Sequence, residues 1–239
     1  MKKHLKRLSA PRTWRIERKT AVWATKPSPG PHPADESVPL GNILRDMLHH
    51  CDSAREARAI LSSRTVEVDG RIVTNPKSSV GIMDVLAVRA TKESYRMVVD
   101  RLGRLRLVSI RPEDADWKLC RIEDKTTVGG GKVQLNLHDG RNILLTSNAY
   151  ATGTTLKIAI PKQKVLTEFP LAAGASALLI GGQHVGEIVH VDRVERTRNP
   201  RANVVHFREG FSTDIDKVFV IGRDTPEIPI PEVAAVEAK

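Results

Sequence analysis

Aromatic residues are scarce in this chain: three Trp, two Tyr and four Phe make up 4% of 239 residues. Any core must therefore be assembled from Val, Ile, Leu and Ala, around the turns that 16 glycines and 14 prolines allow. Small β-rich modules suit that composition better than one large α/β enzyme. Cysteine is nearly absent. Cys51 and Cys120 lie far apart with no CxxC spacing, which excludes a disulfide framework and a zinc module. His49, His50 and Cys51 are consecutive, and adjacent helical side chains diverge by about 100°, so they are poorly placed to chelate one ion. No apolar run approaches the roughly 18 residues of a membrane span. Met1 to Lys3 lead into a basic segment with no apolar leader stretch, so an intracellular, cytoplasmic protein is expected.

Acidic residues are also in deficit. Against 28 Asp and Glu stand 38 Lys and Arg, a formal charge of +10 that points to a polyanionic partner. With 40% apolar residues the chain can bury more than one core, and its length fits two or three small units.

Much of the surplus charge is N-terminal: Lys2, Lys3, Lys6, Arg7, Arg12, Arg15, Arg18, Lys19 and Lys26 are opposed only by Glu17. Trp14 and Trp23 interleave with these cations and contribute stacking or packing surface that a merely solubilising tail does not need. From Pro27 to Pro33 proline falls at alternate positions, which excludes helix and predicts an extended linker. Residues 1–37 read as a basic extended arm with a Pro-rich linker.

The next segment, 38–92, carries two helical patterns. Leu40, Ile43, Leu44, Met47 and Leu48 form one apolar stripe opened by Pro39. Ser53 and Glu56 have capping-box spacing, after which Ala57, Ile60 and Leu61 share one face while Arg55 and Arg58 project from the other. Val66 to Val68, the Asp69-Gly70 turn and Arg71 to Thr74 then read as a hairpin, followed by a turn and a buried strand through Val88. Arg64 lies between helix and hairpin, and Lys77 just after it.

Residues 93–172 alternate as strands, with turns at Leu102-Gly103 and at Asp139-Gly140 and a helical turn at Pro112. In 173–224 a buried run, Ala177 to Ile180, leads into Gly181-Gly182-Gln183-His184-Val185-Gly186, then into a basic loop around Arg193, Arg196, Arg198 and Arg201. Strands near Val204–Phe207 and Val218–Ile221 would close a small barrel. Residues 225–239 lack apolar periodicity and read as a flexible tail. The fold class is α+β and mostly β.

Enzymatic signatures are wanting. Gly129-Gly130-Gly131-Lys132 is followed by Val133 and lacks the first glycine of a phosphate loop. Asp139 is explained by a hairpin turn. His190 and His206 fall on strand patterns and read as hydrogen-bonded barrel residues. No nucleophile elbow or HExxH is present. Neither a cofactor nor a metal is called for.

Val38 to Val88 resembles the S-four RNA-binding fold, on Asp52-Ser53-Ala54-Arg55-Glu56-Ala57-Arg58 and Val66-Glu67-Val68-Asp69-Gly70. Gly181 to Ile188 resembles a KOW motif, with Val189 where many such motifs have a second glycine. Together with His4 to Trp14, Asp139-Gly140-Arg141 and Val218 to Gly222, the order is similar to the archaeal and eukaryotic S-four-e family of small-subunit ribosomal proteins, and the Pro-rich run and short tail resemble its archaeal branch. That resemblance implies a structural component of the small ribosomal subunit and not an enzyme. Its partners would be small-subunit ribosomal RNA and neighbouring ribosomal proteins, with no homo-oligomer. An arm of like charges would be ordered only on RNA. RNA contacts are expected from Lys2, Lys3, His4, Lys6, Arg7, Arg12, Trp14, Arg15, Arg18, Lys19, Arg55, Arg58, Arg64, Lys77, Gly182, His184, Gly186, Arg196 and Arg198. The rival readings are an RNA-modifying enzyme with an appended S-four unit, a KOW-bearing transcription factor and a ribosome assembly factor.

Overall fold

The computed structural model describes residues 4–197 and 202–228. The chain divides into two compact units, one made of 1–98, 104–118 and 160–162, the other of 99–103, 119–159 and 163–239.

In the first unit, β1 (Leu5–Lys6) pairs antiparallel with β2 (Trp23–Ala24). β3 (Ser37–Pro39) leads directly into α1 (Leu40–Asn42), whose entry Pro39 fits because the missing N–H would have had no helical partner. The expected apolar stripe is present, but of its members only Leu40 is in the α-helical turn. Ile43 to Met47 form a wider π turn, with the Leu48 N–H donating to the Ile43 carbonyl at 2.9 Å. Leu40, Ile43 and Leu44 are fully buried; Met47 and Leu48 are half-buried.

The helix α2 (Ala54–Ser62) starts with the capping box its sequence predicts: Ser53 Oγ accepts from the Glu56 N–H at 3.2 Å, and the Glu56 carboxylate accepts from the Ser53 N–H. Ala57 and Leu61 turn inward, while Ile60 is half-buried. Next come β4 (Val66–Val68) and β5 (Arg71–Ile72), joined at Asp69-Gly70 with both residues at positive φ (50° and 70°), the twist a two-residue hairpin requires. β6 (Ser79–Gly81) pairs with β3. β7 (Val85–Val88), β8 (Glu93–Val99) and β9 (Leu105–Ile110) complete a sheet of order β5-β4-β7-β8-β9. That sheet runs across the boundary expected at residue 92. Tyr95 lies opposite Leu86, so β8 extends the sheet of the helical unit instead of founding a new one.

Within this core lies a buried ionic network. Lys118, fully inaccessible to solvent, donates to Asp69 Oδ2 at 2.8 Å and to Asp84 Oδ1 at 2.7 Å, and His32 Nε2 lies 3.1 Å from Asp84 Oδ2. Backbone N–H groups of Val85 and Gly81 donate to the same two carboxylates. A buried ammonium is tolerable only with such partners. Burial alone would raise the Asp84 pKa, but Lys118 and His32 hold it well below the usual carboxylate range. Burial and the neighbouring Asp84 push Asp69 upward. Gly81 admits the imidazole, since a Cβ there would lie 2.2 Å from the His32 ring.

The second unit holds two five-stranded sheets. β10 (Trp117–Val128), β11 (Lys132–Leu137), β12 (Asn142–Leu145), β13 (Thr155–Ala159) and β14 (Lys164–Phe169) stand in the order β12-β11-β10-β13-β14. Cys120, Ile122, Leu135, Leu137, Leu156 and Ile158 form their core. β15 (Ser176–Leu179), β16 (Ile188–Glu195), β17 (Val204–Phe207), β18 (Ser212–Asp214) and β19 (Val218–Gly222) follow the order β18-β17-β16-β15-β19. Arg121 ties the two sheets: its guanidinium donates to the Asp216 and Val218 carbonyls at 2.8 and 2.9 Å and pairs with Glu123. Packing reaches into the segment expected as a tail at residues 225–228. The Glu227 N–H donates to the Ile221 carbonyl at 3.0 Å and Ile228 is 1% exposed, because β19 still offers a backbone acceptor and apolar surface there. Residues 229–239 lie outside the described ones.

Candidate nucleic-acid interface

The arginines of α2 are separated from its core by helical geometry. Ala57 and Leu61 are buried, and Arg55 and Arg58 lie on the exposed face, none of their guanidinium groups engaged by a carboxylate among the described residues. Arg64, at the end of the helix with φ of 59°, and Lys77 are exposed as well. An unpaired, solvated guanidinium on a rigid helix is the donor a phosphate oxygen requires.

The N-terminal segment behaves differently. Arg7 is buried, its guanidinium 2.9 Å from Asp46 Oδ1 and donating also to the Glu17 carbonyl. Burial would raise the Asp46 pKa, yet hydrogen bonds and charge from Arg45 and Arg7 lower it. Arg18 donates to the Ala10 and Pro11 carbonyls at 2.8 and 2.7 Å. Trp14 is 2% exposed and its Nε1–H donates to the Ala34 carbonyl at 3.0 Å. Three residues expected on RNA are therefore occupied within the fold, and the segment 4–37 carries internal contacts that a merely extended arm would lack. Trp14 supplies apolar area, and Asp46 supplies the counter-charge. His4, Lys6, Arg12, Arg15 and Lys19 remain exposed; Lys2, Lys3 and Arg198 lie outside the described residues.

In the second unit the loop between β15 and β16 carries Gly182 and Gly186 at φ of 94° and 77°. Gly186 is buried, and a Cβ on it would lie 2.4 Å from the backbone of Asp100, so the missing side chain lets the two backbones pack. His184 stacks on Phe211 at 4.1 Å between ring centroids and pairs with Glu187 at 3.1 Å. Val189 sits inside β16 opposite Ala177 and is 1% exposed, which explains a branched apolar residue at that position. Arg196 is exposed. His190 and His206 are paired with Glu209 and Glu195 at 3.3 and 3.0 Å.

One group of possible metal ligands is already occupied. Cys120, His138 and Asp139 converge within 4.8 Å, but Asp139 is paired with Arg141 at 3.0 Å and His138 Nδ1 accepts from the Arg121 N–H at 3.3 Å. Sequence reasoning missed Lys118, buried in a strand pattern, and ranked Trp14 above Trp23, which is 52% exposed.

Three family patterns match in series: RS4NT domain over 1–35, S4 domain over 39–86 and Ribosomal family S4e over 91–165. The small ribosomal subunit protein eS4 of Methanothermobacter thermautotrophicus is 44% identical, with 96% of each chain covered. That of Staphylothermus marinus is 42% identical over 98% of this chain and 97% of its own. The crystal structure of the 30S ribosomal protein S4e from Thermoplasma acidophilum superposes with a TM-score of 0.71 at 37% identity, covering 79% of this chain and 96% of that one. These relatives are ribosomal proteins and not enzymes. With this identity spanning nearly every residue, the chain belongs to the eS4 family of small-ribosomal-subunit proteins.

Proposed function

We propose that this protein is a structural constituent of the archaeal small ribosomal subunit that binds folded small-subunit ribosomal RNA and supports translation in the cytoplasm. The observation that carries the reading is α2: a helix anchored by Ala57 and Leu61 that leaves Arg55 and Arg58 in solvent, with Arg64 at its exit. Folded RNA is recognised by shape and phosphate position, which suits guanidinium groups on a rigid element. Lys77, the exposed cations between His4 and Lys19, and Arg196 extend the same chemistry. We read β15 to β19 as a KOW-type, SH3-like barrel whose glycine loop and His184 add an RNA contact, and neighbouring ribosomal proteins as further partners of a chain that does not self-associate. Sucrose-gradient sedimentation of a native lysate tests the reading. Stoichiometric co-migration with small subunits and whole ribosomes, surviving a high-salt wash, is expected. Presence only at the top of the gradient, or only on immature particles, would overturn it in favour of an assembly factor.

A further inference from the structure

The three tryptophans have different fates. Trp14 and Trp117 are 2% and 8% exposed, but Trp23 leaves 52% of its surface in water. Its place is set by the β1–β2 ladder, in which Lys6 lies directly opposite Trp23 and Leu5 opposite Ala24. Opposed residues of an antiparallel pair share one face. Ala24 takes the buried face, so Lys6 and Trp23 stand together on the outer one. His4, two residues before Lys6 and so on the same face, sets its ring 5.4 Å from the indole at 47°. Leu8 and Val22 flank the site, 69% and 66% exposed.

A single exposed apolar residue needs no explanation. An exposed indole with a cation directly across the ladder does, because stacking surface beside positive charge is how proteins hold unpaired nucleotides. Between residues 4 and 34 Glu17 is the sole acidic residue, so this surface selects a polyanion over an acid-poor protein helix. Double-helical RNA has no free base face to offer; an unpaired nucleotide does.

Building on the RNA-binding reading above, we infer that Trp23, with Lys6 and His4 beside it, is a stacking site for one unpaired base of single-stranded RNA. The base lies on the indole, and the Lys6 ammonium meets a neighbouring phosphate.

The full chain is titrated at moderate salt with three probes: a short oligouridylate, an abasic phosphodiester strand of equal length and an RNA duplex. Oligouridylate should quench tryptophan fluorescence and the abasic strand should not. Trp23→Leu, which keeps apolar bulk, and Trp23→Ala should lose roughly 5- to 150-fold in oligouridylate affinity. Trp23→Phe should stay close to wild type. Affinity for the abasic strand and the salt dependence should be unchanged in all three variants, since phosphate contacts remain. Should Trp23→Ala fail to fold by near-ultraviolet circular dichroism, the Leu and Phe variants decide. Oligouridylate binding by Trp23→Leu equal to wild type, or an equal loss on the abasic strand, overturns the stacking site alone. Failure of the wild-type protein to bind any probe overturns the RNA-binding reading and the stacking site together.

Discussion

The N-terminal segment and α2 are both arginine-bearing and share the expectation of RNA contacts, yet they use their cations in opposite ways. Arg7 and Arg18 are drawn inward by Asp46 and by backbone carbonyls, whereas Arg55 and Arg58 find no acceptor among the described residues and stay in water. Charge density alone does not locate an interface. What decides is whether the fold brings an acceptor within reach of each guanidinium, and Asp46 stands 39 residues from Arg7 in the chain.

The contrast is broken most severely at a cation turned wholly inward. Lys118→Met leaves Asp69 and Asp84 buried without their counter-charge, and a loss of about 3–5 kcal/mol is expected by urea denaturation. Full retention of stability would mean that the network contributes nothing to folding. Trp14→Ala should cost a similar 3–5 kcal/mol or so, through the cavity it leaves. Trp23→Ala should stay within about 0.5 kcal/mol of wild type. Equal losses at both tryptophans would erase the distinction between packing and display.

Acid should weaken the inward set through Asp46. Because the folded Asp46 pKa lies below its unfolded value near 3.9, its contribution is complete above that pH and is lost as pH falls through the lower folded value. Asp46→Asn should therefore flatten the acid limb of the stability curve, measured by thermal melts across a pH series. The smallest effect on the fold is expected outward. Arg55→Ala with Arg58→Ala should change stability by less than about 0.5 kcal/mol per site. Its ribosomal RNA affinity should fall, and the slope of affinity against salt should drop by roughly 0.7–0.9 per lost phosphate contact. A variant with full affinity and an unchanged slope would remove α2 from the interface.

Local patterns were legible in the sequence. The capping box, the buried stripe of Ala57 and Leu61 and the Asp69-Gly70 hairpin depend on residues three or four apart, or on backbone preferences of the turn itself. Ile60 shares the face of Leu61 in the sequence pattern but is only half-buried. What the sequence hid was partnership across distance. Trp14 meets a carbonyl 20 residues on, and Lys118 meets carboxylates 49 and 34 residues earlier. The alternation of residues 93–99 announces a strand but not which sheet it joins; only its pairing with β7 settles that. At the candidate site, the arginines of α2 could be picked out by their phase on the helix, whereas Arg7 and Trp14 could not be distinguished from Lys6 and Trp23 without their partners.

His32, Asp69, Asp84 and Lys118 come from four separate stretches of the chain, and the ammonium is the last to be translated. Residues 38–92 therefore do not contain the ammonium that faces their own two buried carboxylates. A fragment ending before residue 118 would bury Asp69 and Asp84 without that ammonium, which makes Lys118 part of the smallest segment able to complete this core.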